Sequence, residues 1–272
     1  MNGKTDPGSP AAANFPGWVD SHCHLDFQDF DGKMDEVREE MRANGVTHAL
    51  CISVNLAGFP KVLALAEAYD NFFATVGVHP DDEDRTAVDP ARLVEIARHP
   101  RIVAIGETGL DYYRSSGDLE WQRERFRAHI RAARECGKPL VIHTRQAAED
   151  TLAIMREEGA AEAGGVMHCF TESQAVAEAA IALGFHLSFS GIVTFKNAGA
   201  LRDVARWVPS ERLLVETDSP YLAPVPHRGK INRPGLVRHV GEEVARLRGV
   251  SPHELAKATT ANFFSLFIPA RA

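Results

Sequence analysis

The chain is sparing with cysteine: four in 272 residues (Cys23, Cys51, Cys136 and Cys169), none in CxxC spacing. That excludes a disulfide framework and suits a reducing compartment, the cytoplasm. No apolar run approaches the ~18 residues needed to cross a bilayer, so a membrane span is excluded. The first residues lack the basic-then-apolar order of a secretory leader. Positive charge is short as well: 30 Lys and Arg against 37 Asp and Glu leave a formal net charge of −7. A uniformly basic nucleic-acid binder is thereby excluded, although a local basic rim is not. Neither GxGxxG nor GxxxxGK[ST] occurs, which removes the dinucleotide and P-loop readings. The hydrophobic share, by contrast, is 44%, ample for a folded core.

Residues 1–16, rich in Pro, Gly, Ala and Asn, carry no periodicity and read as a flexible tail; 17–272 read as one domain. From there, short apolar runs alternate with longer stretches of helical spacing. The runs begin with Trp18-Val19, Ala49-Leu50-Cys51-Ile52, Phe72-Phe73-Ala74-Thr75-Val76 and Ile102-Val103-Ala104-Ile105. They continue with Leu140-Val141-Ile142, Gly165-Val166-Met167, the run from Phe185 to Phe189, and Leu213-Leu214-Val215. Most are apolar throughout rather than alternating, as parallel strands buried on both faces require. Gly45, Gly137, Gly184 and Gly249 each follow a helical stretch, where a C-cap favours positive φ.

Taking His22, Cys51, Gly77, Glu107, His143, His168, Phe189 and Asp218 as strand ends, the steps are 29, 26, 30, 36, 25, 21 and 29 residues. That rhythm gives eight strand–helix units and predicts an α/β fold, a (β/α)8 TIM barrel. Ser251-Pro252-His253-Glu254 is a capping box that opens an extra C-terminal helix, with Phe263, Phe264 and Phe267 placed to seal the barrel.

The metal-capable residues coincide with the predicted strand ends. His22 and His24 flank Cys23, so in an extended strand both imidazoles point to one side and Cys23 to the other. Glu107, His143, His168 and Asp218 end strands four, five, six and eight, on the face where barrel enzymes keep their active sites. Imidazole and carboxylate donors without thiolate suit Zn²⁺, Mn²⁺ or Mg²⁺. Six such donors suit two ions, with His22, His24 and Asp218 on one, His143 and His168 on the other, and Glu107 bridging.

Several segments together resemble the TatD family of metal-dependent deoxyribonucleases. They are Val19-Asp20-Ser21-His22-Cys23-His24-Leu25-Asp26, Gly77-Val78-His79-Pro80, Gly106-Glu107-Thr108-Gly109-Leu110-Asp111-Tyr112 and His143-Thr144-Arg145. His168-Cys169-Phe170, Glu216-Thr217-Asp218-Ser219-Pro220-Tyr221-Leu222 and Asn262-Phe263-Phe264 complete the set, which spans Trp18 to about Phe267. The resemblance implies an amidohydrolase-type barrel, divalent metal, and hydrolysis of DNA. The six residues above occupy the family's ligand positions.

The expected reaction is attack on phosphorus by a metal-activated hydroxide, with Asp218 orienting or deprotonating the water. DNA, single-stranded or at strand ends, is the expected partner, and no protein partner is evident, so the chain is expected to act as a monomer. Expected substrate contacts are His79, Asp111, Arg145, Phe170, Arg228 and Lys230. Glu216 reads as a buried carboxylate paired with a strand-end cation or histidine. The run Asp81-Asp82-Glu83-Asp84 reads as a solvated loop or helix start, and Tyr112, Tyr113 and Trp121 as partial core. After strand eight the family continues Arg-Asn-Glu-Pro where this chain has Ile231-Asn232-Arg233-Pro234, which bears on substrate preference. Two other readings are a metal-dependent ester or amide hydrolase, for example on aminoacyl-tRNA, and a non-catalytic metal-stabilised scaffold. Glu107 as bridge favours the phosphodiesterase over the former, because Lys138 precedes strand five and cannot take the bridging place.

Overall fold

Strand follows strand in parallel around one sheet. In the computed structural model, which describes residues 15–268, the strands are β1 (Trp18–Cys23), β2 (Val46–Cys51), β3 (Phe72–Val76), β4 (Ile102–Asp111), β5 (Leu140–Arg145), β6 (Gly165–Met167), β7 (His186–Phe189) and β8 (Leu213–Val215). They are hydrogen-bonded in sequence order, each parallel to the next. The ring is joined between β8 and β1 by His24 N–H to Ser219 O (2.8 Å) and Asp218 N–H to His22 O (2.9 Å). This is the (β/α)8 barrel read from the strand spacing. Residues 1–14 of the expected tail lie outside the described residues, and Phe15 packs against the Trp18 ring at 5.7 Å.

The helices are α1 (Met34–Ala43), α2 (Phe59–Ala68), α3 (Pro90–Ala97), α4 (Glu120–Cys136), α5 (Ala148–Glu157), α6 (Gln174–Ala182), α7 (Gly199–Trp207), α8 (Val237–Arg248) and α9 (Pro252–Phe267). The four capping glycines have φ of 64–84°, the left-handed region that a side chain would penalise. The capping box of α9 is formed in both directions, with Ser251 Oγ receiving Glu254 N–H and the Glu254 carboxylate receiving Ser251 N–H.

Among the described residues the apolar side chains form two clusters, the larger of them between the sheet and its helices. The smaller joins Val19, Leu50, Ile52, Val103, Val141, Val166 and Leu214 to Phe263 and Phe267 of α9, so α9 plugs the barrel as its phenylalanines predicted. Side chains two apart on a strand share a face. Above Val141 on that face stands His143, above Val166 stands His168, and above Leu214 stand Glu216 and then Asp218. The plug and the polar cluster are thus successive layers of one barrel interior.

Register slips lie close to two of the site residues. The pairing of β1 with β2 slips between Asp20 and Cys23, and that of β4 with β5 between Ile105 and Thr108. A bulge of this kind re-aims a side chain, here His22 and Glu107. Beyond its bulge β4 runs on to Asp111, so Glu107 lies within the strand rather than at its end. Gly109 permits that extension: a Cβ there would overlap the carbonyl of His143 on β5.

Candidate active site

The six residues picked out by spacing converge at the carboxyl end of the barrel, around Glu107. Its two oxygens serve different groups. Oε1 is 2.7 Å from His168 Nε2, 3.1 Å from His143 Nδ1 and 3.3 Å from His79 Nε2. Oε2 is 3.4 Å from His22 Nε2 and 4.0 Å from His24 Nε2. Asp218 Oδ1 completes the second group, 3.3 Å from His24 Nε2 and 3.6 Å from His22 Nε2. His22 and His24 face each other through Nε2 atoms 3.3 Å apart, as their alternation predicted. Cys23 points outward, its thiol donating to Leu50 O.

The outer nitrogens of His143, His168 and His79 are held by carboxylates. Asp111 Oδ2 is 3.1 Å from His143 Nε2, and Glu216 Oε1 is 3.3 Å from His168 Nδ1. His79 Nδ1 contacts Asp81 Oδ1. A carboxylate that accepts the N–H of one ring nitrogen keeps the proton there and leaves the other nitrogen's lone pair pointing inward, the usual arrangement behind a ligating histidine. Those carboxylates are themselves anchored. Asp111 Oδ1 accepts Tyr113 and Arg114 N–H at 2.9 and 2.8 Å, and Glu216 Oε1 accepts Cys169 N–H at 2.8 Å. Asp20, fully buried, accepts Thr217 N–H at 2.8 Å and Thr217 Oγ1 at 2.5 Å, which ties the His22 strand to the Asp218 turn.

Electrostatics follow from this packing. Burial works against ionised Glu107, yet His168, His79 and His22 hold it well below the ordinary carboxylate range. Burial likewise opposes a charge on His168, but Glu107 and Glu216 push its pKa well up. The same contest raises His79 to about 9, with Glu107 and Asp81 prevailing over burial. His22 moves down, because burial and the stacked His168 ring outweigh Glu107. Against burial, His24 keeps Asp218 below its usual value, and Asp218 in turn raises His24.

The cluster fits divalent cations. Three sets of ligand atoms each lie within 4.8 Å of one another: His22–His24–Asp218, His79–Glu107–His143 and His22–His168–Glu216. Nδ1 of His22, Nδ1 of His24 and Oε2 of Glu216 are buried without hydrogen-bond partners, leaving unused donor capacity in the same shell. Nitrogen and carboxylate donors without thiolate suit first-row ions and Mg²⁺.

The remaining predicted contacts divide. His79 belongs to the cluster itself, and Asp111 stands behind His143. Arg145 lines the cleft of ≈ 550 Å³ above the cluster, its guanidinium 3.9 Å over the Tyr113 ring. Phe170 does not reach the cleft: Cys169, at φ 42°, turns the chain, and Phe170 is buried against Phe189. Arg228 and Lys230 also miss it. Their loop lies over the segment after β7, with Arg228 4.0 Å above the Phe195 ring. Arg233 is within 3.6–3.8 Å of Glu36 and Glu40 on α1, so this departure from the family pattern acts on a surface ion pair outside the cleft. Asp81, expected in a solvated loop, instead lines the cleft and binds His79 and Arg114. Arg114 and Tyr221 also line it; their sequence signal was only adjacency to Asp111 and Asp218. Trp121 lies under Arg85 and Arg125, outside the cleft, and Lys138 reaches Ala97 and Ile102 carbonyls at the opposite end of the barrel.

The family profile described as TatD related DNase matches residues 19–268. The uncharacterized metal-dependent hydrolase YcfH of Escherichia coli (strain K12) is 49% identical over 252 residues, 92% of this chain and 95% of that protein. The 3'-5' ssDNA/RNA exonuclease TatD of Edwardsiella piscicida is 33% identical over 256 residues, 92% of this chain and 98% of that protein. Among solved structures, the TatD homologue YjjV of Escherichia coli superposes with a TM-score of 0.84 at 28% identity, covering 92% of this chain and 97% of that one. With its barrel, its histidine–carboxylate cluster and a family match over nearly its whole length, the chain belongs to the TatD family of metal-dependent hydrolases.

Proposed function

We propose that this protein is a phosphodiesterase that shortens single-stranded DNA from an end, using two divalent ions (Zn²⁺, Mn²⁺ or Mg²⁺) bridged by Glu107. The division of the Glu107 carboxylate carries the two-ion reading, with Oε1 among His168, His143 and His79 and Oε2 beside His22 and His24. The family description and the Edwardsiella relative named as an ssDNA/RNA exonuclease support a nucleic-acid substrate. The cleft of ≈ 550 Å³ favours a strand end over a duplex, and the net charge of −7 disfavours long-range grip on a polymer.

Bound ions would supply Lewis acidity to the phosphoryl oxygens and lower the pKa of the attacking water. The chain's own groups set the geometry and move the protons. Glu216 and Asp111 hold the outer N–H of His168 and His143, so their inner lone pairs converge on Glu107. Asp218 lines the cleft, its carboxylate 16% exposed and kept ionised by His24, and it accepts the proton of the attacking water. Arg145 faces the same cleft with a guanidinium suited to phosphate oxygens.

The test is hydrolysis of a short end-labelled single-stranded DNA by chelator-stripped protein, with Mg²⁺, Mn²⁺ and Zn²⁺ returned separately and Glu107→Ala alongside. A metal-dependent ladder of shortened products, absent in the variant, is expected. Protein that has bound two ions and cleaves nothing would overturn the nuclease reading in favour of a carboxylic ester or amide substrate.

A further inference from the structure

The mouth of the cleft is two-sided. From the loops after β8 and β1, Tyr221 meets Phe27 edge to face with ring centroids 6.3 Å apart, and Phe27 stacks on His24 at 4.9 Å and 20°. Tyr221 is nonetheless 55% exposed, so much of its aromatic surface faces water beside the cluster. Across the barrel, from the loop after β4 and the last residue of β5, come two cations. Arg114 Nη1 is 2.5 Å from Asp81 Oδ2, which orients the guanidinium while its side chain stays 54% exposed. Arg145 rests over Tyr113. Phe27, Tyr221, Arg114 and Arg145 line the same cleft.

An exposed aromatic wall opposite an oriented guanidinium, with a metal-capable cluster between, matches a ligand that has a flat apolar plate at one end and an anion at the other. We propose that the cleft is a subsite for one terminal nucleotide, its base stacked on Tyr221 and its phosphate held by Arg114. This rests on the phosphodiesterase reading and adds to it what is recognised at the strand end. Asp81 takes only part of the five-donor fork of Arg114, so donors remain for phosphate. Stacking on an aromatic side chain serves any base, so the subsite selects for a nucleobase without selecting which one.

The test is calorimetric binding of deoxyadenosine 5'-monophosphate and of 2-deoxyribose 5-phosphate to the Mn²⁺-loaded protein. The nucleotide should bind about tenfold more tightly, the usual scale of one base–aromatic contact. Tyr221→Ala should bring the two ligands to equal affinity, Tyr221→Phe should preserve the difference, and Arg114→Gln should weaken both in parallel. Equal affinity for the two ligands in the unaltered protein, or a Tyr221→Ala variant that keeps the full preference, would overturn the proposal. A Tyr221-dependent preference in a protein that cleaves no DNA would leave the subsite standing and sink the nuclease reading alone.

Discussion

Glu216 Oε1 lies 3.3 Å from His168 Nδ1, and so determines which nitrogen of that ring faces Glu107. The carboxylate is fully buried and also receives Cys169 N–H, so it is fixed before any ion arrives. Removing it frees the ring to rotate and to carry its proton on the wrong nitrogen.

Glu216→Ala is therefore expected to weaken metal binding about 10- to 100-fold with the barrel intact. Calorimetric titration with Mn²⁺ measures the loss, and circular dichroism monitors the fold. Unchanged affinity would mean that His168 is oriented by its stacking on His22 alone.

Chelation should lower the melting temperature. An ion present at about 100 times its dissociation constant stabilises the native state by about 2.7 kcal/mol. In a chain of this length that amounts to roughly 5–10 °C. The effect should vanish in a variant lacking Glu107, where metal and chelator leave the same melting curve.

Stability should fall as pH drops from about 6.5 toward 4, in part through His129. Its Nε2 accepts Val78 N–H at 3.0 Å and its Nδ1 donates to Arg125 O at 2.8 Å, so the buried ring is used up in its neutral form. Burial lowers its pKa to about 4. Because the native pKa lies below the unfolded one, the unfolded chain binds the extra proton first. The stabilisation is complete above the unfolded pKa and lost as pH falls through the native one. The contribution is about 3 kcal/mol. Urea unfolding of chelated protein across this range should show a shallower pH slope for His129→Gln than for the unaltered chain.

Phe263 sits at the base of the barrel with no exposed surface, packed with Val19, Leu50, Val103 and Leu214 in the smaller apolar cluster. Phe263→Ala should cost about 3–5 kcal/mol through the cavity it leaves. Thermal melting reads this as a fall of roughly 10 °C. Metal affinity measured below the transition should be unchanged, since the apolar layer of Val141, Val166 and Leu214 separates the plug from the cluster.

The barrel and its six central side chains were legible in the sequence because they depend on local periodicity. A side chain's face on a strand follows from parity alone, so His22 and His24 had to share a side, and Val141 and Val166 had to stand beneath His143 and His168. The repeat of strand and helix set the number of units, and the absence of long apolar runs or thiolate pairs narrowed the chemistry to nitrogen and oxygen donors. Parity fails at a bulge. Glu107 reads as a strand end because Gly106 and Gly109 surround it, whereas β4 continues past it to Asp111. The loops escaped for a related reason: their paths depend on contacts from distant parts of the chain. Cys169 turns Phe170 into the core, and the loop carrying Arg228 and Lys230 folds onto the segment after β7. Asp81, inside an acidic run that reads as solvated, is drawn into the cleft by His79 and Arg114. Local alternation thus determined which residues surround the centre, while the tertiary packing of the loops decided which residues stand behind those histidines and which face a substrate.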